Sequence, residues 1–152
     1  MTEHDLLEVC QIEESSELSA WGWDAYHNEL QSPHDSVMLV ARVDSSFHGI
    51  GIAGFIVARV IADELHVNNV AVRTEFRGRH IGATLLRMTL EQGKQRGAVM
   101  ARLEVRASNQ AAQGLYRHCG FEADGRRKNY YRGPTEDALL MSVSLAPRAN
   151  GS

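Results

Sequence analysis

Three short stretches follow one another through the middle of the chain: Asn69-Val70-Ala71-Val72, then Arg77-Gly78-Arg79-His80-Ile81-Gly82, then Leu103-Glu104-Val105-Arg106. The first ends a run, Glu64 to Val72, that reads as a strand following the Ala62-Asp63 turn. The second is a polar, basic loop, after which Ile81, Leu85, Leu86, Met88 and Leu90 recur at helical spacing. Gly97 follows Arg96 as the glycine that ends that helix. Val99, Ala101, Leu103 and Val105 then alternate with Met100, Arg102 and Glu104 as a second strand. Two strands joined by a helix of this length form a crossover unit, so they are expected to lie parallel.

Upstream, residues 5–14 carry Leu6, Val9, Cys10 and Glu13 at helical spacing. A polar stretch, Glu14 to Ser19, leads to a Trp21-Gly22-Trp23 turn, and a short helix is expected from Asp24 to Leu30, before Ser32-Pro33. Val37 to Val43 reads as a strand stopped by Asp44-Ser45-Ser46. Ile50 to Val60 reads as the next, with glycines at 51 and 54 that suggest a bulge or a close backbone approach. With Glu64 to Val72 these form an antiparallel meander, because the connections are too short for crossovers. Downstream, Ser108 or Asn109 caps a helix carrying Ala112, Leu115, Tyr116 and Cys119, and Gly120 ends it. A last strand spans Ala138 to Leu145. The expectation is a mixed α/β sandwich: one domain over residues 1–146 and a flexible tail over 147–152.

The 152 residues are 43% hydrophobic and 23% charged, which excludes a disordered or fibrous chain. No run approaches the roughly 20 apolar residues of a membrane helix, and Met1-Thr2-Glu3-His4-Asp5 lacks the features of a secretion signal. A cytoplasmic protein without a membrane partner is expected. The net charge of -3 disfavours strong direct binding of nucleic acid. Cys10 and Cys119 have no metal spacing and read as two buried free thiols, and the seven histidines are scattered, so no metal is expected.

Two groups of residues carry chemistry. A loop rich in Arg and Gly at a helix N-terminus can cradle a pyrophosphate, because unpaired N–H groups and the positive dipole end favour an anion. The same loop is also compatible with an ordinary solvated basic turn. In the second group, Tyr116 lies seven residues into the helix from Asn109, roughly 10 Å of rise. A helix folded back on its own strand brings that phenol to the mouth of the sheet beside Glu104. The plainer alternatives are an ion pair of Glu104 with Arg102 or Arg106, and a half-buried core ring for Tyr116.

In this order the stretches are recognisable. From Leu65 to Leu145 the chain resembles the GCN5-related N-acetyltransferase (GNAT) superfamily, most closely its RimI-type branch of ribosomal-protein-alanine N-acetyltransferases. The resemblance rests on Asn69 to Val72, Arg77 to Leu86, Leu103 to Asn109, Leu115-Tyr116 and Gly120-Phe121. Arg126-Arg127-Lys128-Asn129-Tyr130-Tyr131 and Glu136 to Met141 point to the branch.

The resemblance implies a GNAT fold with a mostly antiparallel sheet and one splayed parallel pair. It implies acetyl-CoA as co-substrate and the N-terminal peptide of a ribosomal protein as partner, namely the N-terminal alanine of small-subunit protein eighteen. Val70, Ala71 and Val72 would pair with pantetheine. Arg77, Gly78, Arg79, His80, Ile81, Gly82 and Ala83 would take the pyrophosphate, and Asn109 would contact the cofactor. Glu104 is implied as general base and Tyr116 as general acid. Trp21, Trp23, Tyr130 and Tyr131 would wall the peptide entrance, where Glu75, Glu136 or Asp137 could attract a basic peptide.

Three departures from the family pattern stand out. His80 replaces the first glycine of the loop and needs a negative φ to accommodate its Cβ. The strand that the family places before the first helix has no counterpart ahead of Asp5. The 132–136 loop is short. The competing readings are a lysine or small-amine acetyltransferase, and a non-catalytic module that senses acetyl-CoA or docks RNA through Arg73, Arg77, Arg79 and Arg126-Arg127-Lys128.

Overall fold

The computed structural model describes residues 1–16, 21–43 and 51–146. Residues 17–19 of the polar stretch, the 44–46 turn, Ile50 and the 147–152 tail lie outside these residues. The elements are α1 (Leu6–Glu14), preceded by a 3-10 turn over Glu3–Asp5, α2 (Gly22–Leu30), β1 (Ser36–Arg42), β2 (Ile52–Ile61), β3 (Glu64–Val72), a 3-10 turn over Thr74–Phe76, α3 (Ile81–Gln95), β4 (Met100–Arg106), α4 (Gln110–His118), β5 (Glu122–Tyr131) and β6 (Glu136–Ser144). Among the described residues no helix is long and apolar enough to cross a membrane.

The six strands form one sheet in the order β1-β2-β3-β4-β6-β5. β1, β2 and β3 are the expected antiparallel meander. β3 and β4 are parallel, as the crossover through α3 requires, but they pair only from Glu64 with Met100 to Val67 with Leu103. Beyond that point the two strands part.

A bulge sits at the parting. Val57 of β2 opposes Asn69 while Ala58 opposes Val67, which leaves Asn68 as an extra residue in β3. The extra residue reverses the faces. Leu65, Val67 and Val70 all pack in the core with Leu85 and Leu86 of α3, and Ala71 packs in the opposite core with Leu6, Val9 and Ile12 of α1 and Tyr26 of α2. Close approach explains Gly54: a Cβ there would stand 2.8 Å from the Ala71 carbonyl oxygen.

The helix boundaries follow the local chemistry. Gly97 and Gly120 take left-handed conformations, φ 93° and 95°, just past α3 and α4. Asn109 caps α4, its side chain accepting from the Ala112 N–H at 3.1 Å.

Three sequence expectations need correction. Gly22 and Trp23 begin α2 rather than forming a turn. The segment 122–131, for which no element is expected from the sequence, is a strand that Tyr130-Tyr131 end. Both thiols are free but half-buried, not buried. As the sequence indicated, no strand precedes α1 among the described residues; the Met1 ammonium donates to the Met38 carbonyl of β1 at 3.1 Å.

Candidate active site

Where β3 and β4 part, a cleft of about 670 Å³ opens through the sheet. Its walls are Val67 to Val70 of β3, Arg102 to Arg106 of β4, Asn109, Ala112 and Tyr116 at and within α4, Tyr130 and Tyr131 at the end of β5, and Trp21 before α2. The two residues implied as acid and base, Glu104 and Tyr116, thus line one cavity together.

The β3 wall presents bare backbone. The Arg73 N–H donates to the Ala53 carbonyl at 2.7 Å, so this pair is hydrogen-bonded. Alternation along an antiparallel ladder then turns Ala71 and Asn69 toward β2, and turns the N–H and C=O of Val70 and Val72 away from it. On that side β4 pairs no further than Val67. The Val72 carbonyl accepts from Arg77 Nε at 3.2 Å. The outward N–H groups of Val70 and Val72 face the gap without a strand partner.

The loop of Arg77 to His80 is exposed and ends at the N-terminus of α3. The first intrahelical bond runs from the Thr84 N–H to the His80 carbonyl at 3.0 Å, so the N–H groups of Ile81, Gly82 and Ala83 are unclaimed by the helix. Gly82 is buried against α4: a Cβ would stand 3.2 Å from the Leu115 side chain. His80 does not meet the expectation of negative φ. Its φ is 62° and ψ 17°, a left-handed conformation held with a side chain in place. Histidine is among the residues that tolerate this region better than most.

Tyr116 is buried, 8% exposed. Burial, and secondarily Tyr131, push its phenol up to about 12. Tyr131 is likewise raised to about 12, first by burial and then by the charge of Glu104. Tyr130 is raised by its hydrogen bond to Glu104, with burial second. Neither of the expected arginines is the partner of Glu104. Arg102 is taken by Glu64, and its Nη1 lies 3.5 Å from Asp124 Oδ2. Arg106 bonds Glu136 at 3.3 Å and the carbonyls of Pro134 and Arg132 at 3.3 Å, which fixes the hairpin between β5 and β6. The cation facing Glu104 is Arg127, with Nη2 3.8 Å from Oε1.

The structure separates some residues that the sequence grouped. Trp21 lines the cleft, whereas Trp23 does not; it is 42% exposed and stacks on His27 with ring centroids 4.6 Å apart. Ala71, Val72 and the 77–83 loop lie outside the cleft walls, along its β3 and α3 side. Glu136 and Asp137 do not line the mouth. Glu136 accepts from the Ser108 N–H at 2.5 Å and pairs with Arg106, and Asp137 holds Arg126 at 2.7 Å and accepts from the Asn129 N–H at 2.9 Å. Several of the basic residues considered for RNA are similarly engaged: Arg73 by Glu8 and the Ile52 carbonyl, Arg126 by Asp137, Arg127 by Glu104.

Sequence reasoning missed Asn68, Asn69, Asp124 and the facing of Arg127 with Glu104. For the first two a signal existed: Val67 and Val70 are three apart in a strand of period two, and the odd step is the bulge.

Comparison with known proteins agrees with this architecture. Residues 6–121 match the acetyltransferase (GNAT) family. A Salmonella typhimurium protein named [ribosomal protein bS18]-alanine N-acetyltransferase is 33% identical over 146 residues, covering 93% of either chain. The N-alpha-acetyltransferase RimI of Mycobacterium tuberculosis is 38% identical over 122 residues, 80% of this chain and 73% of that one. The crystal structure of the ribosomal-protein-S18-alanine N-acetyltransferase from Escherichia coli superposes with a TM-score of 0.84 at 25% identity, covering 100% of this chain and 95% of that one. A parallel pair splayed around a cleft, a basic loop entering a helix, and these relatives lead to one conclusion: the chain belongs to the GNAT family of acetyltransferases.

Proposed function

We propose that this protein transfers the acetyl group of acetyl-CoA to the N-terminal α-amine of a protein, with the N-terminal alanine of ribosomal protein bS18 as its acceptor. The observation that carries the reading is the convergence on one cleft of Glu104 from β4, Tyr116 from α4 and the outward N–H of Val70 from β3. The names of the relatives supply the acceptor.

The residues divide the work of a direct transfer. The thioester enters from the α3 side, with its pyrophosphate on the N–H groups of Ile81 to Ala83 and the arginines of the loop, and its pantetheine along the outward N–H groups of Val70 and Val72. Asn109 spends its Oδ1 on the helix cap, which leaves its amide NH2 for the cofactor. The acceptor enters from the opposite side, past Trp21, Tyr130 and Tyr131. An α-amine, with a pKa near 7.7–8.0, is about one-tenth neutral at pH 7, whereas a lysine is neutral in roughly one molecule in a few thousand. Glu104 therefore needs to accept, directly or through one water, a proton that an α-ammonium gives up readily.

The amine nitrogen bonds to the thioester carbon, and the oxyanion that develops is met by the Val70 N–H. The C–S bond then breaks and its electron pair leaves on sulfur. Tyr116 presents its O–H to that sulfur, and the second proton that the nitrogen sheds on becoming an amide passes to solvent, which returns a proton to the Tyr116 phenolate. A phenol at about 12 stays protonated at any working pH. Complete equilibrium transfer to a thiolate near 8.5 would be uphill by about 5 kcal/mol, so the proton moves as the C–S bond breaks. No acyl-enzyme is formed, and Cys119, at the end of α4, serves packing.

The test is a pair of near-isosteric substitutions. Glu104→Gln and Tyr116→Phe are each expected to lower kcat by about 10²–10⁴, with the KM for acetyl-CoA within twofold of the unaltered protein. Unchanged turnover in both would remove the assignment.

A further inference from the structure

The carboxylate of Glu13, on α1, is buried at 4% exposure and makes no ion pair among the described residues. Its Oε1 accepts the N–H groups of Trp21 and Gly22, each at 3.1 Å, and so caps α2 from another helix. Its Oε2 accepts the hydroxyl of Tyr26, which is fully buried. The Tyr26 oxygen in turn accepts from Asn69 Nδ2 at 2.8 Å. The Tyr26 ring also packs against Trp21, with centroids 5.4 Å apart.

A charge buried without a cation is costly, and apolar side chains could fill the same space between α1, α2 and β3. What the polar relay does that apolar packing would not is fix two particular points. One end holds the backbone of Trp21. The other holds the side chain of Asn69, between the bulge at Asn68 and the outward N–H of Val70. Trp21 and Asn69 line the cleft, whereas Glu13 and Tyr26 stand behind it. No member of the relay reaches the N-terminus of α3 or Val72.

We infer that Glu13, Tyr26 and Asn69 are positioning residues for the acceptor: the relay locks Trp21 against the bulged segment of β3 and sets the opening through which the acceptor amine reaches the thioester carbon beside the Val70 N–H. The inference rests on the proposed acetyl transfer to an α-amine. It assigns the relay to the acceptor side of the reaction alone.

The test is steady-state kinetics of Tyr26→Phe and Glu13→Gln, with acetyl-CoA and a short peptide beginning Ala-Arg, well below each variant's melting temperature. Tyr26→Phe cuts the relay in the middle. Glu13→Gln preserves volume and an acceptor for Trp21 and Gly22 but offers Tyr26 a donor where it needs an acceptor, and it serves if the first variant does not fold. The expected result is a rise of about tenfold in KM for the peptide, with KM for acetyl-CoA changed less than twofold. In a Trp21→Ala background the same substitution should raise the peptide KM by less than threefold, because the element it positions is gone. An unchanged peptide KM in the folded variants, or an equal rise for both substrates, overturns the inference. If the unaltered protein itself acetylates no free-terminus peptide, the function proposed above fails first, and the two failures are distinguished.

Discussion

Arg127 of β5 places its Nη2 3.8 Å from Oε1 of Glu104, two strands away across β6. The guanidinium also lies over the Tyr130 ring, 5.6 Å from its centroid. A cation beside the base occupies the ground that the ammonium of an arriving acceptor needs. The Arg127 side chain is 58% exposed, so the pair contributes only about 0.2–1 kcal/mol. Replacing Arg127 with Gln is therefore expected to lower the peptide KM by roughly 1.5- to 5-fold and to flatten its dependence on salt. Initial rates at two ionic strengths measure both. A higher KM would show that Arg127 binds the acceptor instead of competing with it.

Tyr116 gives a stability prediction with a definite sign. Its phenol is raised from 10.0 to about 12 in the folded protein. Below pH 10 both folded and unfolded chains keep the proton and the group contributes no pH dependence. Between pH 10 and 12 the unfolded chain loses it while the folded chain holds it, so stability falls as pH rises, by up to about 3 kcal/mol. Denaturation of the unaltered protein and of Tyr116→Phe, compared over that window, is expected to show a shallower loss for the variant. Parallel curves would mean that the phenol is not held protonated by burial.

His80, with φ 62°, carries a strain that glycine would relieve. A left-handed residue other than glycine is disfavoured by about 1–2 kcal/mol, partly offset by the entropy glycine loses on folding. His80→Gly should thus gain up to about 1 kcal/mol, or roughly 2–4 °C in Tm for a chain of this size. His80→Ala keeps the Cβ and should gain nothing. Thermal unfolding of the two variants is the comparison, and equal melting temperatures would contradict the account of the strain.

The path from sequence to this site was uneven for physical reasons. The crossover from β3 through α3 to β4 was legible because β4 alternates cleanly between buried and more exposed residues, and because α3 is long, with an apolar face and a glycine stop. Asn109 and Gly120 announced α4 by their capping chemistry. β5 was not legible. It is an edge strand whose residues are mostly exposed, so Arg126, Arg127 and Lys128 carry no alternation to read, and charge on such an edge guards it against pairing with other chains. Its absence from the reading hid the facing of Arg127 with Glu104. The relay of Glu13, Tyr26 and Asn69 was equally invisible, since its members lie 13 and 43 residues apart and no local spacing links them.

The choice of acceptor is the property that separates an Nα-acetyltransferase from its alternatives. Intact-mass analysis of a peptide beginning Ala-Arg with a free N-terminus, incubated with acetyl-CoA and the protein, is the most direct measurement. Beside it runs the same peptide with its N-terminus blocked and a free lysine. One added acetyl group is expected on the free-terminus peptide and none on the blocked one. Acetylation of the blocked peptide, or of neither while acetyl-CoA still binds, would contradict the proposed function.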